Sequence, residues 1–153
     1  MMINYYFLES SAFTKRYTRE SGSYFMDELF LGNNQLFYLS ISYCEILKVF
    51  YRIYKYPQLN EHQITEYEFN ILNAKLSEDL LHSNRIALTN EILNKSREIL
   101  SIGYLKSSID ILHLAGFLVT KGFYNNLILV TADDDLAELA MKFTNMVTNL
   151  NEI

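Results

Sequence analysis

The sequence predicts an α/β domain with a central, mainly parallel sheet covered on both faces by helices. Three observations carry that reading. Short apolar runs bounded by polar residues alternate with amphipathic stretches along the whole chain, the pattern of strands joined by crossover helices. Only five Gly and one Pro interrupt 153 residues, so connections are short and no linker divides the chain. Half of the residues are hydrophobic and 22 are Tyr or Phe, enough for one well-buried core over residues 1–153.

Residues 3–8, "INYYFL", read as a buried strand, a short apolar run flanked by polar residues. "SAFTKRYT" comes next as a short helix. "GSYFMDELFLGN" reads as a second, with Ser23 as its N-cap and Gly32 as its stop. "QLFYLSI", residues 35–41, is the next strand, and "SYCEILKVFYRIYKYP" a helix ended by Pro57. A long amphipathic helix opens at Asn60, with Gln63 three residues on in capping-box spacing. "RIAL" reads as a short strand, and a helix runs from Thr89 to Gly103. "SSIDILHLAGFLVTKG" is an unusually apolar helix. "NLILVT" is the last clear strand, "DDDLAELAMKF" its helix, and "MVTNL" an edge strand.

Composition narrows the function classes. No apolar run reaches the roughly 18–20 residues that span a bilayer, and "MMINYYFLE" lacks the basic start and apolar stretch of a leader. A single cysteine, Cys44, permits no internal disulfide framework and no cysteine zinc cluster; it reads as a small buried residue. The expectation is a soluble, cytoplasmic protein. The formal charge of −5 argues mildly against a broad nucleic-acid surface. Divalent cations bound by the acids would reverse much of that charge locally.

Four acids stand apart from the rest. Glu9 directly follows the first strand and Asp133 the strand "NLILVT", so both fall at carboxyl ends of strands, where open parallel sheets bind ligands. Asp110 is the only acid between Ser101 and Thr131, and Glu45 the only one on its helix. Four lone carboxylates on four elements make a donor set for hard cations, which take oxygen ligands. Each also has an ordinary reading. Glu9 and Asp133 suit first helical turns, "SSID" around Asp110 suits a capping box, and Glu45 suits an ion pair with Lys48. Composition and spacing leave both readings open.

Four segments resemble the motifs of the PIN domain family. "YFLESSAFTKRYTRESGS" resembles its opening strand, acid and basic helix, and "SISYCEI" its Ser-to-Glu segment. "LKSSIDILHLAGFLV" is similar to its Ala-x-Asp-Ala-x-His-Leu-Ala helix, and "LVTADDDLAELA" to its Thr-Ala-Asp-x-x-Leu motif. They occur in family order from end to end, and the chain is similar in length to the VapC-type toxins of bacterial toxin–antitoxin pairs. The resemblance implies a three-layer α/β/α fold and a ribonuclease dependent on Mg²⁺ or Mn²⁺. It assigns Glu9, Glu45, Asp110 and Asp133 as catalytic metal ligands, and Ser11 and Thr131 as hydroxyls steadying them. An RNA substrate, a cognate antitoxin and a homodimer are the implied partners.

One departure concerns the first acid, which the family supplies as Asp and this chain as Glu9. One more methylene sets its carboxylate further from the backbone, so weakened activity is expected, with a silent protein-binding module as the alternative. Lys15, Arg16, Lys48 and Arg52 are the candidate RNA contacts, with Tyr51 and Tyr54 beside them for stacking; a solvated helix face is the plainer account. His113, one turn after Asp110, reads chiefly as a core residue. The aromatic segments "SYFMDELFLG" and "VFYRIYKYP" exceed what one small domain readily buries and point to an interface. An aspartyl-phosphate domain would want Asp after the first strand, and a Rossmann nucleotide site would need a Gly-rich turn there.

Overall fold

The computed structural model describes residues 3–153; the first two residues, part of the segment "MMINYYFLE" read as lacking the features of a leader, lie outside it. Five strands form one sheet: β1 (Asn4–Leu8), β2 (Asn34–Leu39), β3 (Asn84–Ile86), β4 (Leu127–Thr131) and β5 (Val147–Asn149). They lie in the order β3-β2-β1-β4-β5, and every pairing is parallel. Among the described residues seven helices supply the crossovers: α1 (Ser10–Thr14), α2 (Ser23–Leu31), α3 (Ser42–Lys55), α4 (Glu66–Leu81), α5 (Asn90–Ile102), α6 (Ser108–Lys121) and α7 (Asp134–Met141).

Strand alternation sorts the core into two layers. Phe7, Phe37, Leu39, Leu127 and Leu129 face Ile92 and Ile99 of α5, Ile111, Leu114 and Phe117 of α6, and Leu136 and Leu139 of α7. Leu8, Leu36, Tyr38 and Val130 face the other way, onto Phe13 of α1, Met26 and Leu29 of α2, Ile46 and Phe50 of α3, and Leu76 of α4. Successive strand residues point to opposite faces, so a sheet covered twice must be apolar at consecutive positions. The result is the expected three-layer α/β/α arrangement.

Helix α6 buries Ile111, His113, Leu114, Ala115, Gly116, Phe117 and Thr120. Its approach to the sheet depends on Gly116, where a Cβ would meet Leu39 Cδ1 at 3.2 Å and Phe7 Cζ at 3.3 Å. Among the described residues no helix is long and apolar enough to cross a membrane.

Three local expectations are corrected. The long helix starts at Thr65 and not at Asn60. Thr65 Oγ1 accepts from Glu68 N while Glu68 returns an acceptor to Thr65 N at 2.7 Å, a complete capping box. Asn60 instead takes φ 73° in the loop after Pro57. Helix α2 is entered through Gly22 at φ 86°, and Ser23 is its first residue, its hydroxyl bonded to the Thr18 carbonyl. Helix α1 ends at Thr14, so the basic segment after it is turn and not helix.

Candidate metal centre at the carboxyl edge of the sheet

The order in which the chain lays down its strands reverses between β1 and β4, which are neighbours although far apart in sequence. Such switch points open a crevice beyond the strand ends. Glu9 leaves β1 there, its backbone N–H bonded to the Val130 carbonyl at 3.0 Å, and Asp133 caps α7 just after β4. Glu45 lies in the first turn of α3 and Asp110 in the first turn of α6. All four acids line one pocket of about 400 Å³, together with Ser10, Ser11, Thr14, Lys48, Arg52 and Ile109.

The four carboxylates are not equivalent. Glu9 is only 2% exposed, and both oxygens are occupied. Oε1 accepts from Ser10 Oγ at 2.8 Å and from Ser11 N at 3.0 Å. Oε2 accepts from Ser11 Oγ and from Thr131 Oγ1, the latter at 2.9 Å. Two donors per oxygen compensate a buried charge that would otherwise cost several kcal/mol. The same carboxylate caps α1 at Ser11 N and reaches across to Thr131. Ser11 Oγ also accepts from Ala132 N at 2.9 Å, and Thr131 Oγ1 from Asp133 N at 3.1 Å. One hydroxyl network therefore ties the end of β1 to the end of β4.

Asp133 accepts from Leu136 N at 2.8 Å through one oxygen. Asp110 has its backbone N–H on Ser107 Oγ at 3.3 Å, so Ser107 caps α6, which is the N-cap half of the capping box that "SSID" suggests. Burial pushes the Asp110 carboxyl up to about 6, with the charges of Glu9 and Asp133 adding to the shift and His113 and Ser107 opposing it. Like charges are thus close enough for mutual repulsion. No group of three His, Cys, Asp or Glu side chains among the described residues is already arranged to hold a metal ion.

Glu45 does not pair with Lys48. Its Oε2 meets Nε2 of His113 at 2.6 Å, and that ring is wholly buried. Nothing local to either residue announces this contact, because His113 and Glu45 are 68 positions apart and an apolar helix hides a histidine well.

Two candidate RNA contacts have other work. Arg16 is bonded to Asp27 and, through Nε at 3.2 Å, to Asp79, which is 6% exposed and also accepts from Tyr17 Oη at 2.9 Å. Burial and Asp79 push the Tyr17 hydroxyl well up. Lys15 is buried and meets Glu20 at 3.3 Å. Neither lines the pocket, whereas Lys48 and Arg52 do. Arg52 is shared with Glu61 at 2.9 Å. Tyr51 and Tyr54 pack on Phe69 of α4, with centroids at 4.9 and 4.6 Å, so their rings brace two helices. Cys44 is exposed at the pocket wall and not buried, since α3 turns Ile46 and Phe50 inward instead.

The fold and pocket define a parallel α/β domain with four acids around its switch-point crevice. Comparisons with known proteins act at the level of fold. No family model and no curated protein matches the sequence. Among solved structures, a chain of FitAcB from Neisseria gonorrhoeae matches with a TM-score of 0.65 at 16% identity, covering 99% of this chain and 100% of that one. A chain of VapBC2 from Rickettsia felis, solved bound to a DNA fragment from its promoter, matches with a TM-score of 0.59 at 16% identity, over 97% and 98%. The shared architecture thus extends over essentially the full length of each chain.

Proposed function

We propose that this protein is a metal-dependent endoribonuclease and the toxin of a toxin–antitoxin pair. The observation that carries the reading is the convergence of Glu9, Glu45, Asp110 and Asp133, from four separate segments, on one pocket at the switch point. The PIN-like motifs and the fold shared with chains of VapBC2 and FitAcB agree with it.

The donor chemistry favours Mg²⁺ or Mn²⁺, which take carboxylate oxygens. Glu45, Asp110 and Asp133 are the residues to hold the ion. Glu9 would join them by exchanging a hydroxyl donor at Oε2, Ser11 or Thr131, for the ion. Burial raises the Asp110 carboxyl, repulsion from Glu9 and Asp133 adds to it, and a bound cation would favour the ionised form again. The chemistry such an ion supplies when bound is a more acidic water and a neutralising charge beside the scissile phosphodiester. The chain's own residues do the rest. Ser10, Ser11 and Thr131 fix Glu9, and Lys48 with Arg52 draws the RNA backbone towards the acids.

Exposed apolar side chains, among them Tyr24 and Leu31 on α2 and Tyr67 on α4, offer surface for an antitoxin and a second copy of the chain. Action in the cytoplasm belongs to the same proposal.

Cleavage of a structured RNA pool, with Mg²⁺, with Mn²⁺ and with EDTA, tests the reading. Metal-dependent cutting that Asp110→Asn abolishes is expected. Equal behaviour of the two proteins overturns it. The saturation of Glu9 favours one second reading, a silent PIN-like module that acts by protein binding. Glu9→Asp separates the two: restored or increased cutting supports a nuclease weakened by Glu, and no cutting by either protein supports the silent module.

A further inference from the structure

We infer that His113 is a positioning residue, which orients Glu45 through Nε2–H and couples it by way of Ser10 to Glu9. The ring is wholly buried on α6, one turn after Asp110. Its Nε2 lies 2.6 Å from Glu45 Oε2 and 3.2 Å from Ser10 Oγ. A carboxylate only accepts, so the short contact requires the hydrogen on Nε2. The Ser10 hydroxyl hydrogen is committed to Glu9 Oε1 at 2.8 Å, leaving its oxygen to share the same ring N–H. Nδ1 has no partner among the described residues, which agrees with this tautomer: a buried bare acceptor costs less than a buried unmade N–H.

The consequence is a continuous path, Glu9–Ser10–His113–Glu45, joining acids of the first strand end and of α3 through a residue of α6. Glu45 extends from a helix surface and is partly exposed, so without this contact its carboxylate would sample several rotamers. Groups that hold a carboxylate ligand in one orientation matter nearly as much as the ligand itself. His113 touches neither metal nor substrate in this arrangement.

The metal-related part rests on the nuclease reading, and the test separates the two. Mn²⁺ binding is measured by calorimetry on the full chain and on His113→Leu and His113→Gln, the latter keeping an N–H near Nε2. Leu weakens Mn²⁺ affinity about tenfold or more, the size of effect such supporting residues have, and Gln recovers most of the loss. Unchanged affinity in Leu overturns the inference, as does equal weakening by Leu and Gln, which would mean packing alone. Nitrogen NMR of the His113 ring in metal-free protein gives an independent readout. A hydrogen on Nε2, whose downfield resonance is lost in Glu45→Ala, supports the inference; a hydrogen on Nδ1 alone, with Nε2 bare, overturns it. A parent that binds no Mn²⁺ overturns the nuclease reading, and the ring spectrum then decides the orienting contact alone.

Discussion

At the scale of single residues, the pocket contains two kinds of carboxylate. Glu9 is buried and fully paired, whereas Asp110 is half-buried with its charge poorly compensated. Its carboxyl, pushed up to about 6, has a definite consequence for stability. The folded chain holds the proton more tightly than the unfolded chain, so folding carries no cost from Asp110 below about pH 4. The cost grows as pH rises towards 6 and is complete above it. Asp110→Asn therefore stabilises the metal-free protein at about pH 8, by roughly 1–2 kcal/mol after allowance for solvent screening, and gains little at about pH 4.5. Urea midpoints of both proteins at the two pH values, in EDTA, check this; a gain independent of pH would show that the shift has another origin.

At the scale of elements, α6 decides the site, because it carries both Asp110 and His113. Its height above the sheet is fixed at Gly116, where Leu39 and Phe7 leave no room for a branched side chain. Gly116→Val is expected to destabilise by about 1–3 kcal/mol through overpacking and to lower metal affinity by lifting Asp110. Chemical unfolding and Mn²⁺ calorimetry measure both effects. A loss of stability with unchanged affinity would mean that α6 tilts about its first turn. A second brace lies on the other face, where Arg16 of the turn after α1 links Asp27 of α2 to Asp79 of α4. That cluster gives Arg16 a structural role.

At the scale of the whole molecule, much of the aromatic excess is used internally. Phe13 contacts Tyr17, Phe30 and Tyr38, and Tyr17 packs edge-on against Phe50. Surface apolar side chains still remain on α2 and α4, with Leu93 and Leu100 on α5 and Tyr104 beyond it. A single chain leaves these in water, and the proposed dimer would cover part of them. Light scattering across micromolar concentrations should return twice the mass of the chain. A monomer throughout would remove the homodimer and leave an antitoxin as the sole proposed cover.

The sequence by itself determined the order of strands and helices along the chain, and the placing of Glu9 and Asp133 at strand ends, because these depend on local periodicity and on the residues just past each strand. Boundaries were legible where a cap is local, as at Thr89 and Ser107. They were misread before α4, where Asn60 imitates a cap and only the folded loop shows that Thr65 makes the box with Glu68. Tertiary structure alone decided which charges are spent. Arg16 and Asp79 are 63 positions apart, Glu45 and His113 are 68, and Glu9 and Thr131 are 122. No periodicity records such pairs. They form because a parallel sheet brings distant strand ends to one edge, and because charges buried there must find partners across the fold.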